Sequence, residues 1–169
     1  RAPHESAIRV PAILSGPGFE NGRDIQSVRS LLDLPPTLLD AAGIDVPEAM
    51  HGESLLPIVR GDVPDENGEA FVQISESQVG RALRTERWKY AVAAPSMTGW
   101  RGGSGEPSSD LYVERYLYDL WRDPDETVNL VGHPDYRDVA SELRERLHSY
   151  IADVEDEQPD IKPFDMGYP

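Results

Sequence analysis

One amphipathic stripe does most to limit what this chain can fold into. Between Tyr136 and Val154, the residues Val139, Leu143, Leu147, Ile151 and Val154 recur at three- and four-residue spacing. That period places them along one face of a long α-helix. Glu142 and Arg146 add a favourable pair one turn apart, and Asp135 is the expected N-terminal cap. A helix with a single apolar face must bury it against a second layer. The segments upstream supply one: Ala70 to Ser75, then Ala82 to Thr85 and Trp88 to Ala93 around a tight turn at Glu86-Arg87, then Tyr116 to Leu120. Their β-branched and aromatic residues read as short strands. The expectation is a small antiparallel sheet with the helix on one face, and Trp88 and Tyr90 packing on the sheet.

The first third of the chain reads differently. Ile8 to Leu14 is a short apolar run ended by Ser15-Gly16-Pro17-Gly18, a strand signal that Pro11 weakens because it lacks a ladder donor. Leu34 to Ala42 carries helix punctuation, with Asp33 as cap, prolines in the first turn and Gly43 as terminator. Ser54 to Arg60, closed by Gly61, predicts a second short helix. The charged Asp62 to Glu69 stretch is the expected internal boundary. Pro95 to Ser109 reads as a Gly- and Ser-rich loop, and Asp123 to Glu126 as a capped helical turn. The tail beyond Glu155 is polar.

Composition removes several functions. The formal net charge of -15 disfavours a phosphate-backbone partner, so no nucleic acid is expected. No apolar run approaches the ~20 residues of a membrane helix, so no membrane partner is expected either. Absent cysteine excludes disulfides and thiolate chemistry within these residues. His4, His51, His133 and His148 are too scattered for a zinc signature. Asp119, Asp123, Asp125 and Glu126 lack the glycine and closing glutamate of an EF-hand. No serine sits in a nucleophile elbow, and neither glycine cluster frames a phosphate. The residues alone give an acidic α/β chain without a self-contained active site. Its compartment stays open, with a cytoplasmic one the expectation.

Four segments, in order, resemble the second half of sulfatases in the alkaline-phosphatase-like superfamily. They are His4-Glu5 through Ile8-Arg9-Val10-Pro11 with Gly16-Pro17-Gly18, and Asp33-Leu34 through Gly43-Ile44 with Gly52-Glu53-Ser54-Leu55-Leu56-Pro57. They continue with Arg81 through Arg84-Thr85 to Trp88-Lys89-Tyr90, and with Leu117-Tyr118-Asp119-Leu120 leading to Asp123-Pro124-Asp125-Glu126 and Asn129-Leu130. His4 stands where the family usually has tyrosine.

The resemblance implies an α/β parent that hydrolyses small-molecule or carbohydrate sulfate esters, using Ca²⁺ and a formylglycine made from Cys or Ser in a C/S-x-P-x-R motif. Both groups are expected upstream of this chain, which is expected to be the C-terminal portion of the enzyme and inactive alone. No catalytic or metal-binding residue is carried over. His4, Glu5 and Arg9 are expected to support the site without touching substrate, Glu5 and Arg9 as a local pair. Residues 1–65 would be the tail of the large catalytic domain, and residues 66–169 a C-terminal subdomain of antiparallel sheet and helix. Two alternatives accompany this reading: a phosphonate or phosphate monoester hydrolase of the same superfamily, and a non-catalytic interaction module. Cut from its neighbours, the chain is expected to self-associate through residues 1–45 or to leave them poorly ordered.

Overall fold

The computed structural model describes residues 3–20, 22–75, 78–98 and 107–164. The chain divides into two compact units, Arg1–Arg9 with Phe71–Pro169, and Val10–Ala70. The first nine residues thus group with the later part of the chain, where the sequence reading had placed them with residues up to 65.

The larger unit is built on a five-stranded sheet in the order β1-β2-β3-β4-β5. Its strands are β1 (Glu69–Ile74), β2 (Gln78–Thr85), β3 (Trp88–Thr98), β4 (Leu111–Asp119) and β5 (Asp160–Lys162). The Glu86-Arg87 turn joins β2 to β3 as the spacing predicts, with Arg84 opposite Lys89 and Leu83 opposite Tyr90. The Thr85 hydroxyl closes it, accepting the Trp88 N–H at 2.9 Å.

The sheet is not wholly antiparallel. β3 and β4 pair antiparallel, but β5 runs parallel to β4, with Leu111 opposite Asp160. The long helix carries the chain back along the sheet between these two strands, and such a crossover returns a parallel neighbour. The tail that reads as merely polar therefore holds an edge strand, with Ile161 buried.

The long helix spans Arg137–Glu155 and buries Ala140, Leu143, Leu147 and Ile151. These meet Val79, Leu83, Tyr90, Val92, Tyr112 and Leu117 from one sheet face, forming the core. Asp135 is not its cap. A 3-10 turn over Pro134–Tyr136 precedes it, and there the His133 Nδ1 accepts the Asp135 N–H.

Two other local expectations need correction. Ile8 to Leu14 forms no strand: a one-turn helix α1 (Glu5–Ile8) takes its start, and residues 9–15 have no regular structure. Asp123 to Glu126 is no helical turn. The Asp123 carboxylate accepts the N–H groups of Thr127 and Val128, closing a loop in place of a helix. Glu126 within it takes a left-handed φ of 56°. Of the expected loop over Pro95 to Ser109, residues 95–98 belong to β3, while 99–106 lie outside the described residues.

The Val10–Ala70 unit holds α2 (Leu34–Ala41) and α3 (Leu56–Arg60), closed by Gly43 and Gly61 at φ 69° and 84°. Asp33 does not cap α2. Its carboxylate instead forms a capping box with Ser30 on the 3-10 turn Leu31–Asp33 and accepts the Glu53 N–H at 3.0 Å. Gly52 lies against the backbone there, where a Cβ would meet the Leu32 carbonyl oxygen at 1.9 Å. The long helix is numbered α4 hereafter, in chain order. Among the described residues, no helix is long and apolar enough to cross a membrane.

Candidate functional site

The hairpin register sets up an electrostatic problem. Cross-strand partners point to the same face, so Arg84 and Lys89 stand side by side, opposite in direction to Tyr90 and the α4 core. Like charges directly opposite one another destabilise a sheet unless an anion joins them. Glu5, the first residue of α1, supplies it. Its Oε2 lies 3.2 Å from Arg84 Nη2, and its Oε1 3.3 Å from Lys89 Nζ.

Glu126 is the second carboxylate. Its Oε1 pairs with the Lys89 ammonium, and its Oε2 accepts the Glu5 N–H at 2.7 Å. The same oxygen stands 3.3 Å from His4 Nδ1. The left-handed turn at Glu126 lets a surface loop send this one side chain inward, where it is 3% exposed. The Lys89 side chain is 0% exposed. Burying an ammonium costs several kcal/mol unless it is closely paired, and two carboxylates meet that need here. The His4 ring completes the cluster, 5.7 Å from both the Tyr116 and Tyr118 rings, which stack on each other.

The electrostatics agree with the geometry. Burial raises the Glu5 pKa, but hydrogen bonding and charge from Arg84, with Lys89 behind them, hold it below the usual carboxylate value. Burial, then Tyr116 and the Glu126 and Asp123 carboxylates, push the Tyr118 phenol up to about 12, so it stays neutral. Two cations and two carboxylates balance. Such a cluster ties three distant stretches of chain together; it presents no free nucleophile.

His4 and Glu5 thus lie together in this cluster, whereas Arg9 does not join it. Arg9 is exposed, and among the described residues no ion pair links it to Glu5, whose carboxylate is taken by Arg84 and Lys89. Sequence reasoning missed Arg84, Lys89 and Glu126. A signal for the first two was present: a tight turn at Glu86-Arg87 makes Arg84 and Lys89 cross-strand neighbours, and two adjacent cations call for an acid.

The acidic residues nearby do not fit a Ca²⁺ site. Asp119 is engaged by Arg87, Asp123 by the backbone of its own loop, and Glu126 by Lys89 and Glu5. Among the described residues, no group of three or more His, Cys, Asp or Glu side chains is placed to hold a metal.

Against known proteins, residues 1–100 match the family model described as N-sulphoglucosamine sulphohydrolase, C-terminal. The chain is 32% identical over 168 residues to a Δ4,5-hexuronate-2-O-sulfatase of Bacteroides thetaiotaomicron, covering 94% of this chain and 32% of that protein. It is 30% identical to human arylsulfatase K, covering 88% of this chain and 26% of that one. Among solved structures, a 2-O GAG sulfatase superposes with a TM-score of 0.52 at 30% identity, covering 78% of this chain and 27% of the other. The chain therefore spans about a third or less of the length of the relatives it matches. The mixed sheet with its long helix is the α/β arrangement of sulfatases with the alkaline-phosphatase-like fold. With the family model covering more than half of its residues, the chain belongs to the C-terminal domain family of the sulfatases.

Proposed function

We propose that the protein containing this chain hydrolyses sulfate esters of carbohydrates, and that this chain is scaffold for a catalytic centre built elsewhere. The observation that carries the reading is the family match over residues 1–100, joined by relatives named as sulfatases across nearly the whole chain. A sugar substrate is supported by the relative named for a hexuronate 2-O-sulfate. Formylglycine and Ca²⁺, which the sulfatase resemblance implies, would in this reading be held by other parts of the parent, since the described carboxylates Asp119, Asp123 and Glu126 are engaged by Arg87, their own loop and Lys89. The scaffold role rests on the cluster itself. Glu5, Arg84, Lys89 and Glu126 come from three of the four sequence segments that resemble sulfatases, and their charges are spent on one another. The Val10–Ala70 unit, in this reading, belongs to the large domain of the parent.

The test is sulfate release by the full-length protein from sulfated uronic-acid disaccharides and from an aryl sulfate. Turnover that disappears when the nucleophile's Cys or Ser is replaced supports the reading. Preference for a phosphonate monoester over every sulfate ester overturns it in favour of the phosphonate hydrolase. The isolated chain is expected to give no turnover; aryl sulfate hydrolysis abolished by a substitution within residues 1–169 would refute the scaffold assignment.

A further inference from the structure

We propose that Trp121, Arg87 and Arg122 form a binding surface for an anionic sugar, with the indole stacking on the sugar ring and the guanidinium groups taking its sulfate or carboxylate. The inference deepens the sulfatase reading and rests on it only for the choice of a sugar. Trp121 lies just after β4 and is 68% exposed. Among the described residues of its unit, the exposed large apolar side chains are Trp121 and Val128, both on the loop that follows β4. That loop is tied down on both sides of the indole. The Leu120 N–H donates to the Arg87 carbonyl at 2.7 Å, and the Arg122 and Asp123 N–H groups donate to the Asp119 carbonyl at 3.0 and 2.8 Å. The ring itself is also held. The Arg87 guanidinium stands over it at 5.4 Å and over Trp88 at 4.5 Å, and is fixed in turn by the buried Asp119. One face of Trp121 thus meets a cation, and its high exposure leaves the other to solvent.

A plate held this way loses little freedom when a ligand settles on it, and Trp and Arg are the side chains that most often dominate binding surfaces. Chemistry narrows the ligand. The C–H face of a pyranose is an apolar match for an indole, and its hydrogens carry the partial positive charge that an aromatic face attracts. Arg87 spends Nε and Nη2 on Asp119, so Nη1 stays outside that pair. Arg122 stands 3.8 Å from the same carboxylate with its side chain 74% exposed. Two guanidinium groups therefore share one acid, which leaves positive charge beside the indole for a sulfate or carboxylate. Asp123 does not join them, because its carboxylate accepts N–H groups of its own loop. The net charge of -15 opposes any polyanion held by charge alone, so the ring contact has to carry much of the affinity. Stacking by itself would equally suit a nucleobase; the proposed activity on sugar sulfates favours the sugar.

A shielding role, with Trp121 only covering the Arg87–Asp119 pair, has a different signature: Trp121→Ala lowers the melting temperature and leaves sugar binding unchanged. The test is surface plasmon resonance of the full-length protein on immobilised chondroitin sulfate, chemically desulfated chondroitin and dextran at about 0.15 M salt. Trp121→Ala is expected to weaken binding to chondroitin sulfate at least about tenfold, and Trp121→Phe to keep most of it. Arg122→Gln, at an exposed side chain where folding is not at stake, is expected to weaken it about threefold. Weaker binding to the desulfated polymer assigns the anion to sulfate, and equal binding assigns it to the uronate. Dextran bound as tightly as either overturns the proposal, as does a wild-type protein that binds none of the three. So does a Trp121→Ala or Arg122→Gln protein that binds like wild type, or a loss as large in Trp121→Phe as in Trp121→Ala. Binding is read without turnover, so a parent inert on sulfate esters defeats the proposed activity and leaves this result standing.

Discussion

Asp119 illustrates how much a single carboxylate's neighbours decide. The Arg87 Nε and Nη2 donate to its two oxygens at 3.1 and 2.7 Å, while the guanidinium lies 4.5 Å from the Trp88 ring and 5.4 Å from that of Trp121. Hydrogen bonding from Arg87 is the main cause holding the Asp119 pKa below its usual 3.8, against the opposing effect of burial. A depressed carboxylate stabilises the fold above its unfolded pKa, and that contribution is lost as pH falls through the folded value. Asp119→Asn is therefore expected to lower the urea midpoint near neutral pH. The penalty should fade below about pH 4 and vanish at the acid end, where the native carboxylate is itself protonated. A constant penalty across that range would show that the aspartate acts through shape and not charge. Residue-scale pairings of this kind were the least legible part of the sequence. Local spacing pairs Glu5 with Arg9, its neighbour one helical turn away. Its true partners lie 79 and 84 residues distant and depend on how α1 meets the hairpin. Asp-Pro-Asp-Glu suits the first turn of a helix equally well, and only the Asp123 side chain closing its own loop excludes that for Glu126.

At the scale of elements, periodicity told more. The α4 stripe needed only spacing, and its central members are the buried ones, Leu143 at 1% and Leu147 at 0% exposure. Leu143→Ala is accordingly expected to cost about 2–5 kcal/mol in denaturant melts. Glu145→Ala, on the exposed face, is expected to change stability by less than about 0.5 kcal/mol. Equal effects would place the wrong face of the helix against the sheet. The hairpin was equally legible, because a two-residue turn between β-rich runs leaves one register open. What the pattern could not show were the polar residues on the core face. Arg81 reaches Glu155 at the end of α4, and Glu114 reaches Arg144 at 2.9 Å while also accepting the Tyr90 hydroxyl and the Phe164 N–H. These pins fix where the helix sits along the sheet, and a hydrophobic period carries no information about them. The direction of β5 was hidden for a related reason. Its three residues are too few to show alternation, and only the crossover through α4 makes them parallel.

At the scale of the whole molecule, the open question is how the chain behaves when it spans a third or less of its relatives' length. In the sequence, two features favour self-association: the apolar run Ile8 to Leu14, which as a strand would lack its neighbours, and Leu38 and Leu39 on the helix from Leu34 to Ala42, which would lack a covering surface. The structure removes the first, since that stretch forms no strand and offers no regular ladder of donors and acceptors. The second gains specific residues. Leu31, Leu32 and Leu38, on the 3-10 turn and α2, are 59%, 53% and 57% exposed, although their helix also carries the buried Pro36 and Thr37. Apolar side chains left exposed together are an association hazard. The net charge of -15 resists it at low salt, but at 0.1 M the repulsion is screened beyond about 10 Å. The isolated chain is therefore expected to be monomeric in dilute buffer and to associate as salt rises. Substitution tests this more cleanly than removing residues 1–45, because a truncation would also strip Glu5 from the buried Lys89. Leu32→Gln/Leu38→Gln should keep the chain monomeric by light scattering at salt concentrations where the parent chain grows. If both stay monomeric at every salt concentration, the exposed face is too small or too broken to bind a second copy. If both grow alike, the contact lies elsewhere on the chain.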